Sequence, residues 1–296
     1  MPCPRVLQGA IEDLYATFSA YPLQEDTHPC SCCHTPIANE LVHGAPLREL
    51  TWRHLSDYTG DAILTWGDVD CFRHFLPRII ELTVTDAERP IGAPDAVQLF
   101  RLFYHAEWRT WPEQEQGAVK QLLSAVWQTV LSNPPIESGW IDVEEWICAI
   151  SHCESDIKGN LDLWRRDDRI SAAWALSCLV LGSEIPYVSM NVDAPVWIEG
   201  QDQQAFIDEF MKTPTASPYW DQCRAQLAQL IEWVRSPEAS EKLRRAELTC
   251  DNEVLEQEFR FAQLCIREAP NMKFVRVYRE RLYQSAFWEG LTHRLY

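Results

Sequence analysis

Trp66-Gly67-Asp68-Val69-Asp70-Cys71-Phe72-Arg73-His74-Phe75-Leu76-Pro77-Arg78-Ile79-Ile80-Glu81-Leu82 places Val69, Phe72, Phe75 and Leu76 on one side of a helix, and Ile79, Ile80 and Leu82 extend that side. Gly67 interrupts the segment before it, and Asp68 is suited to cap the helix that begins at Val69. Pro77 has no backbone N–H and crowds the carbonyl four residues earlier, so the pattern predicts a helix that kinks or restarts there.

The same period recurs on both sides of this run. Leu7, Ile11, Leu14, Tyr15 and Phe18 predict a helix over 4–20, and Thr51 is placed to cap another reaching about Thr65. Between them, 21–46 lacks periodicity and carries prolines at 22, 29, 36 and 46, which predicts a long loop. Further helices are expected over 95–109, from Trp111-Pro112-Glu113 through Val130, over 142–151, around Leu161–Trp164, and over the nearly all-apolar 170–181. Beyond these, helices are expected at 203–212, 218–235, 237–249, 252–268 and 272–294. The chain is therefore expected to be all-α, a multi-helix bundle or irregular helical-repeat stack with one irregular connector near 183–202. Residues 1–182 would form an N-terminal helical lobe containing the cysteine-rich loop 21–46. Residues 203–296 would form a C-terminal lobe packed on it as one unit.

A chain of 296 residues buries about 75% of its unfolded surface, enough for a core without disulfides. Its 11 cysteines are odd in number and scattered, Cys148, Cys178, Cys223 and Cys265 lying on helix patterns, which fits a reduced cytoplasmic chain better than a disulfide framework. No apolar run is long enough for a membrane span or a secretory leader. The formal net charge is -18, and residues 1–150 hold 9 Lys+Arg against 21 Asp+Glu, or -12. A surface of that sign repels phosphate, so nucleic acid is an unfavourable partner and a basic protein a favourable one.

Two features carry donor chemistry. Cys30-Ser31-Cys32-Cys33-His34 has two thiols at zinc spacing in Cys30 and Cys33, and Cys71 with His74 adds a thiol and an imidazole one helical turn apart. Brought together, these four would form a tetrahedral Cys3His zinc site, structural in kind, that clamps the loop. Cys32, His34 or His28 could stand in as ligands, and free thiols are the alternative. A thioredoxin-like pair would need a strand before the cysteines, which the prolines deny it. His105-Ala106-Glu107 comes after the thiols instead of preceding them and so does not make a deaminase signature. Glu113, Glu115, Glu137, Asp142, Glu144 and Glu145 form the acidic group expected to face a basic partner, with helix capping as the other explanation. Arg276, Arg279 and Arg281 could hold an anion or pair with the chain's own acids. The tryptophans at 108, 111, 127, 146, 164 and 174 fall on apolar stripes and are expected in the core.

Cys30-x-Cys32-Cys33, Pro46-Leu47-Arg48-Glu49-Leu50 and Thr65-Trp66-Gly67-Asp68-Val69-Asp70-x-Phe72-Arg73-His74-Phe75-Leu76-Pro77-Arg78 resemble the pattern of a group of uncharacterised bacterial proteins, with a fainter echo in Trp108-Arg109-Thr110-Trp111-Pro112. In that group the position of Cys71 is acidic, a departure that weakens Cys71 as a general ligand and leaves Cys30, Cys33 and His74. The resemblance implies bacterial origin and transfers no activity.

The expected function is that of a non-enzymatic acidic binding protein of a bacterial cytoplasm, most specifically an immunity protein that neutralises a basic toxin. A metal-dependent enzyme using the cluster of residues 28–74, or a scaffold in a larger assembly, are the alternatives.

Overall fold

The computed structural model describes residues 4–33, 36–85, 94–133, 143–182, 220 and 222–268. Among these the chain is all-α, with no extended strand. The expected connector at 183–202 and helices at 203–212 and 272–294 lie outside the described residues. The chain divides into two compact units, Met1–Val130 with Ile136–Ser155, and Leu131–Pro135 with Asp156–Tyr296. The division therefore falls ahead of residue 156 and not at 183–202, because the helices over 158–182 pack with the C-terminal ones.

In the first unit the helices are α1 (Arg5–Phe18), α2 (Pro36–Val42), α3 (Trp52–Asp61), α4 (Val69–Thr85), α5 (Ala96–His105), α6 (Glu113–Ser132), whose last two residues belong to the second unit, and α7 (Val143–Cys153). Single 3-10 turns stand at Leu47–Glu49 and Trp108–Thr110. The helix starts obey local chemistry. Thr51 donates its N–H to Nδ1 of His54 at 3.0 Å, Asp68 accepts the N–H of Cys71 at 2.8 Å, and Asp95 and Gln98 form a reciprocal capping box. Helix α2 lies inside the stretch expected to be loop. It is only two turns long, and it forms because Ala38 and Val42 bury against the neighbouring α3.

Helix α4 continues through Pro77 instead of restarting there. The lost ladder bond costs about 3 kcal/mol. Phe72, Phe75, Leu76, Ile79 and Ile80 are all fully buried, and at about 1.5–3 kcal/mol per large apolar side chain they outweigh it. Around α4 the aromatic rings interlock. Phe72 meets Phe103 edge-on at 5.8 Å, Phe103 lies 5.9 Å from Trp111, and Trp111 meets Phe18 edge-on at 5.8 Å. All six tryptophans assigned to apolar stripes are buried.

The second unit contains α8 (Lys158–Arg166), α9 (Ile170–Gly182), α10 (Arg224–Val234), α11 (Pro237–Thr249) and α12 (Glu253–Glu268). The all-round apolar α9 packs on α11 and α12, and Trp164 of α8 lies 4.4 Å from Trp233. One carboxyl breaks the apolar pattern. Glu258 of α12 is 2% exposed and accepts a hydrogen bond from Ser177 at 2.5 Å, with Cys178 Sγ at 3.8 Å. Burial raises its pKa to about 7, outweighing those two donors.

A folded-state pKa above the unfolded value means that this group's contribution is fully present below the unfolded pKa and is lost as pH rises toward the folded one. From about pH 4.5 to 7 it should remove on the order of 3 kcal/mol, at 1.36 kcal/mol per pKa unit. Glu258→Gln is expected to flatten that part of the stability profile and to be the more stable protein at pH 8. Urea midpoints for both proteins at pH 5 and pH 8 check this, and parallel profiles would refute it.

Candidate functional site

The loop before α2 is pinned at its base. Pro29 pairs with Trp66 across an isolated antiparallel bridge, and the Cys30 N–H donates to the Thr65 carbonyl at 2.8 Å. Below it, Trp66 Nε1 donates to Thr27 Oγ1 at 2.8 Å, while the Thr27 hydroxyl donates to Asn39 of α2 at 2.5 Å. Trp66 itself is buried edge-on against Tyr58 at 5.5 Å. His28 sits at φ 50 and turns the chain outward, and a tight turn closed by the Cys33 N–H on the Cys30 carbonyl at 3.0 Å completes the presentation.

Three thiols converge on that turn. Sγ of Cys30 is 2.7 Å from Sγ of Cys32, which is 3.5 Å from Sγ of Cys33, and all three lie within 4.8 Å of one another. Cys32 and Cys33 are exposed and Cys30 is half-buried. The hydrogen bond from Cys32 lowers the pKa of Cys30, whereas Cys33, bonded first to Cys32 and then to Cys30, is pushed up to about 11. Three soft donors at this separation can hold a thiophilic metal ion.

Cys71 and His74 do not belong to this cluster. Cys71 turns into the core, where its sulfur accepts the Tyr58 hydroxyl at 3.4 Å and burial pushes its thiol up to about 11. His74 shares a 2.8 Å hydrogen bond with the Tyr21 carbonyl, and burial lowers its pKa. The expected group of Cys30, Cys33, Cys71 and His74 is thus replaced by Cys30, Cys32 and Cys33. One helical turn separates Cys71 from His74, but packing of α4 buries the Cys71 thiol against Tyr58 and engages the half-buried His74 ring with the Tyr21 carbonyl.

Cys71 also restricts the neighbouring backbone. Gly67 has φ +74, and a Cβ there would lie 2.9 Å from Cys71 Sγ. Gly67→Ala is expected to lower stability by about 2–3 kcal/mol through φ strain and overpacking together. Adding Cys71→Ala should remove the sulfur contact but keep the Cβ of residue 71 at 3.0 Å, so it is expected to recover only part of the loss, with about 1–2 kcal/mol of φ strain remaining in any case. Thermal melts of the single and double variants check the split, and a Gly67→Ala protein as stable as the parent would refute it.

The acidic group disperses in three dimensions. Glu113 is exposed, but Glu115 is 6% exposed and faces inward, and Glu145 accepts the Ala96 N–H at 2.7 Å as a cap on α5. Glu144 is half-buried, and Glu137 and Asp142 lie outside the described residues. Glu115 belongs to a network that spacing does not reveal. It accepts the Tyr21 hydroxyl at 2.6 Å, and its second oxygen is 3.4 Å from Arg73 Nε. The Arg73 guanidinium lies 4.5 Å from the Trp111 ring and 5.0 Å from the Tyr21 ring, and it bonds Asp70 at 3.0 Å. Burial first, then the carboxylate, raises the Tyr21 pKa to about 12. In the second unit, Gly159, Asp162, Leu163, Arg166 and Asp167 line an open groove of about 490 Å³.

Fold and site together define an all-α protein bearing an exposed three-thiol turn. No protein-family model matches the chain, and no curated protein or solved structure is significantly similar to it. Among the described residues, no helix is long and apolar enough to cross a membrane.

Proposed function

We propose that this chain is a non-enzymatic acidic binding protein of a bacterial cytoplasm that engages a basic protein, most specifically as an immunity protein against a basic toxin. The observation that carries this reading is the distribution of charge in the first unit. Arg48, Arg73 and Arg78 are paired with the chain's own Glu12, Glu115 and Glu81, and against the exposed Arg5, Arg53 and Lys120 stand the more numerous exposed Glu25, Glu40, Glu49, Asp57, Glu107 and Glu113. An excess of outward carboxylates speeds encounter with a cationic partner and is weakened by salt. The thiol turn fits this role as a clamp, with zinc as the ion held by Cys30, Cys32 and Cys33.

The test is capture of partners by the tagged full-length protein from its native lysate at low and high salt, with metal analysis of the same sample. One stoichiometric basic protein, released by salt and lost with Glu107→Lys/Glu113→Lys, is the expected result. A partner that is acidic, or one retained at high salt by that variant, would overturn the electrostatic reading.

A further inference from the structure

We propose that Cys30 and Cys32 form a reversible redox pair, closed to a disulfide by an oxidant of the peroxide class and reopened by a dithiol. Their sulfurs stand 2.7 Å apart, and a disulfide requires about 2.05 Å, so closure needs only a small side-chain movement. The backbone on one side is already fixed by the Cys30–Thr65 hydrogen bond and the bridge from Pro29 to Trp66. Cys32 is exposed, so a small oxidant reaches the pair, whereas Cys71, Cys148, Cys153, Cys223 and Cys265 are shielded in the core. Cys33, 3.5 Å from Cys32, supplies a third thiol next to the bond that would form.

The chemistry balances with peroxide alone. One sulfur, as thiolate, attacks a peroxide oxygen. The O–O bond breaks, and a sulfenic acid forms while hydroxide takes up the released proton as water. The second sulfur then attacks the first, the S–O bond breaks, and the second thiol proton leaves with hydroxide as another water. The two sulfurs give up two electrons, and peroxide accepts them. The ring closed by cysteines two positions apart is small, which favours ready reduction. This inference goes beyond the partner-binding reading and does not depend on it. It uses the thiols assigned to zinc, so the oxidised loop would have one free thiol in place of three and would release the ion.

The experiment uses the full chain. Bound metal is measured, then removed with chelator under anaerobic conditions. One equivalent of hydrogen peroxide is added, and free thiols are trapped with N-ethylmaleimide for intact-mass analysis. The expected product is a monomer lighter by two hydrogens with two fewer alkylated thiols, fully restored by dithiothreitol. Cys32→Ser, at an exposed position, should abolish that product, and Cys33→Ser should keep it. Sulfinic acids without hydrogen loss, linkage between chains, or a pair that persists in Cys32→Ser would overturn the proposal. Disulfide formation in a protein purified without zinc would sink the metal clamp and leave this inference standing. Zinc binding without disulfide formation would do the reverse.

Discussion

Arg73→Ala is expected to cost about 3–5 kcal/mol of stability, because it strips a buried carboxylate of its cation. Glu115 is 6% exposed, and its other oxygen is already committed to the Tyr21 hydroxyl. The Arg73 side chain also fills the space between Tyr21 and Trp111, so truncation removes packing as well as charge. The contact itself is not optimal. At 3.4 Å it leaves Arg73 Nε and Glu115 Oε2 without a hydrogen bond, which limits what the intact pair contributes. Removing both charges should therefore be milder than removing one. Arg73→Met with Glu115→Gln is expected to recover most of the loss, since the glutamine oxygen can still accept from Tyr21. Chemical denaturation of the two single variants and the double variant measures the coupling. A loss below about 1 kcal/mol for Arg73→Ala would show that the network relaxes freely into solvent.

The second large effect lies under the thiol turn. Trp66→Ala should cost about 3–5 kcal/mol, as expected for a buried large aromatic side chain. It should also disturb the site. The indole holds Thr27 through Nε1 and packs edge-on against Tyr58, while the backbone of the same residue pairs with Pro29. With the indole gone, the turn keeps its backbone bonds to residues 65 and 66 but loses the anchor at Thr27, and the three sulfurs are expected to loosen in their mutual spacing. On the zinc reading proposed above, zinc uptake by the purified protein should fall in the same variant. Trp66→Phe separates the two contributions, because it retains most of the packing and loses only the bond from Nε1 to Thr27, for about 1–2 kcal/mol. Unchanged zinc uptake in Trp66→Ala would show that the turn holds its geometry without the indole.

Helical period and capping chemistry are local, so α1, α3, α4, α5 and α6 could be read directly from residues such as Thr51, Asp68, Asp95 and the stripe of Val119, Leu122, Leu123 and Val126. The all-α class, the burial of the six tryptophans and the presence of thiols at ligand spacing come from the same local patterns. Other features depend on what lies opposite a residue, which chain order does not encode. Pro77 inside α4 is tolerated because of the core around it, and α2 forms because α3 is beside it. Cys71 became a core residue because α4 faces its sulfur inward, and Cys32 took a place in the thiol cluster because the turn closed from Cys33 to Cys30 brings its sulfur beside that of Cys30. The most nonlocal case is Glu115. Its position at a helix start suggests a surface charge, yet Tyr21 and Arg73, distant from it in sequence, enclose it. Sequence alone determined the long periodic helices and which side chains carry chemistry; tertiary packing decided whether a short segment such as α2 forms and which of those side chains meet, because burial and pairing are properties of neighbours in space.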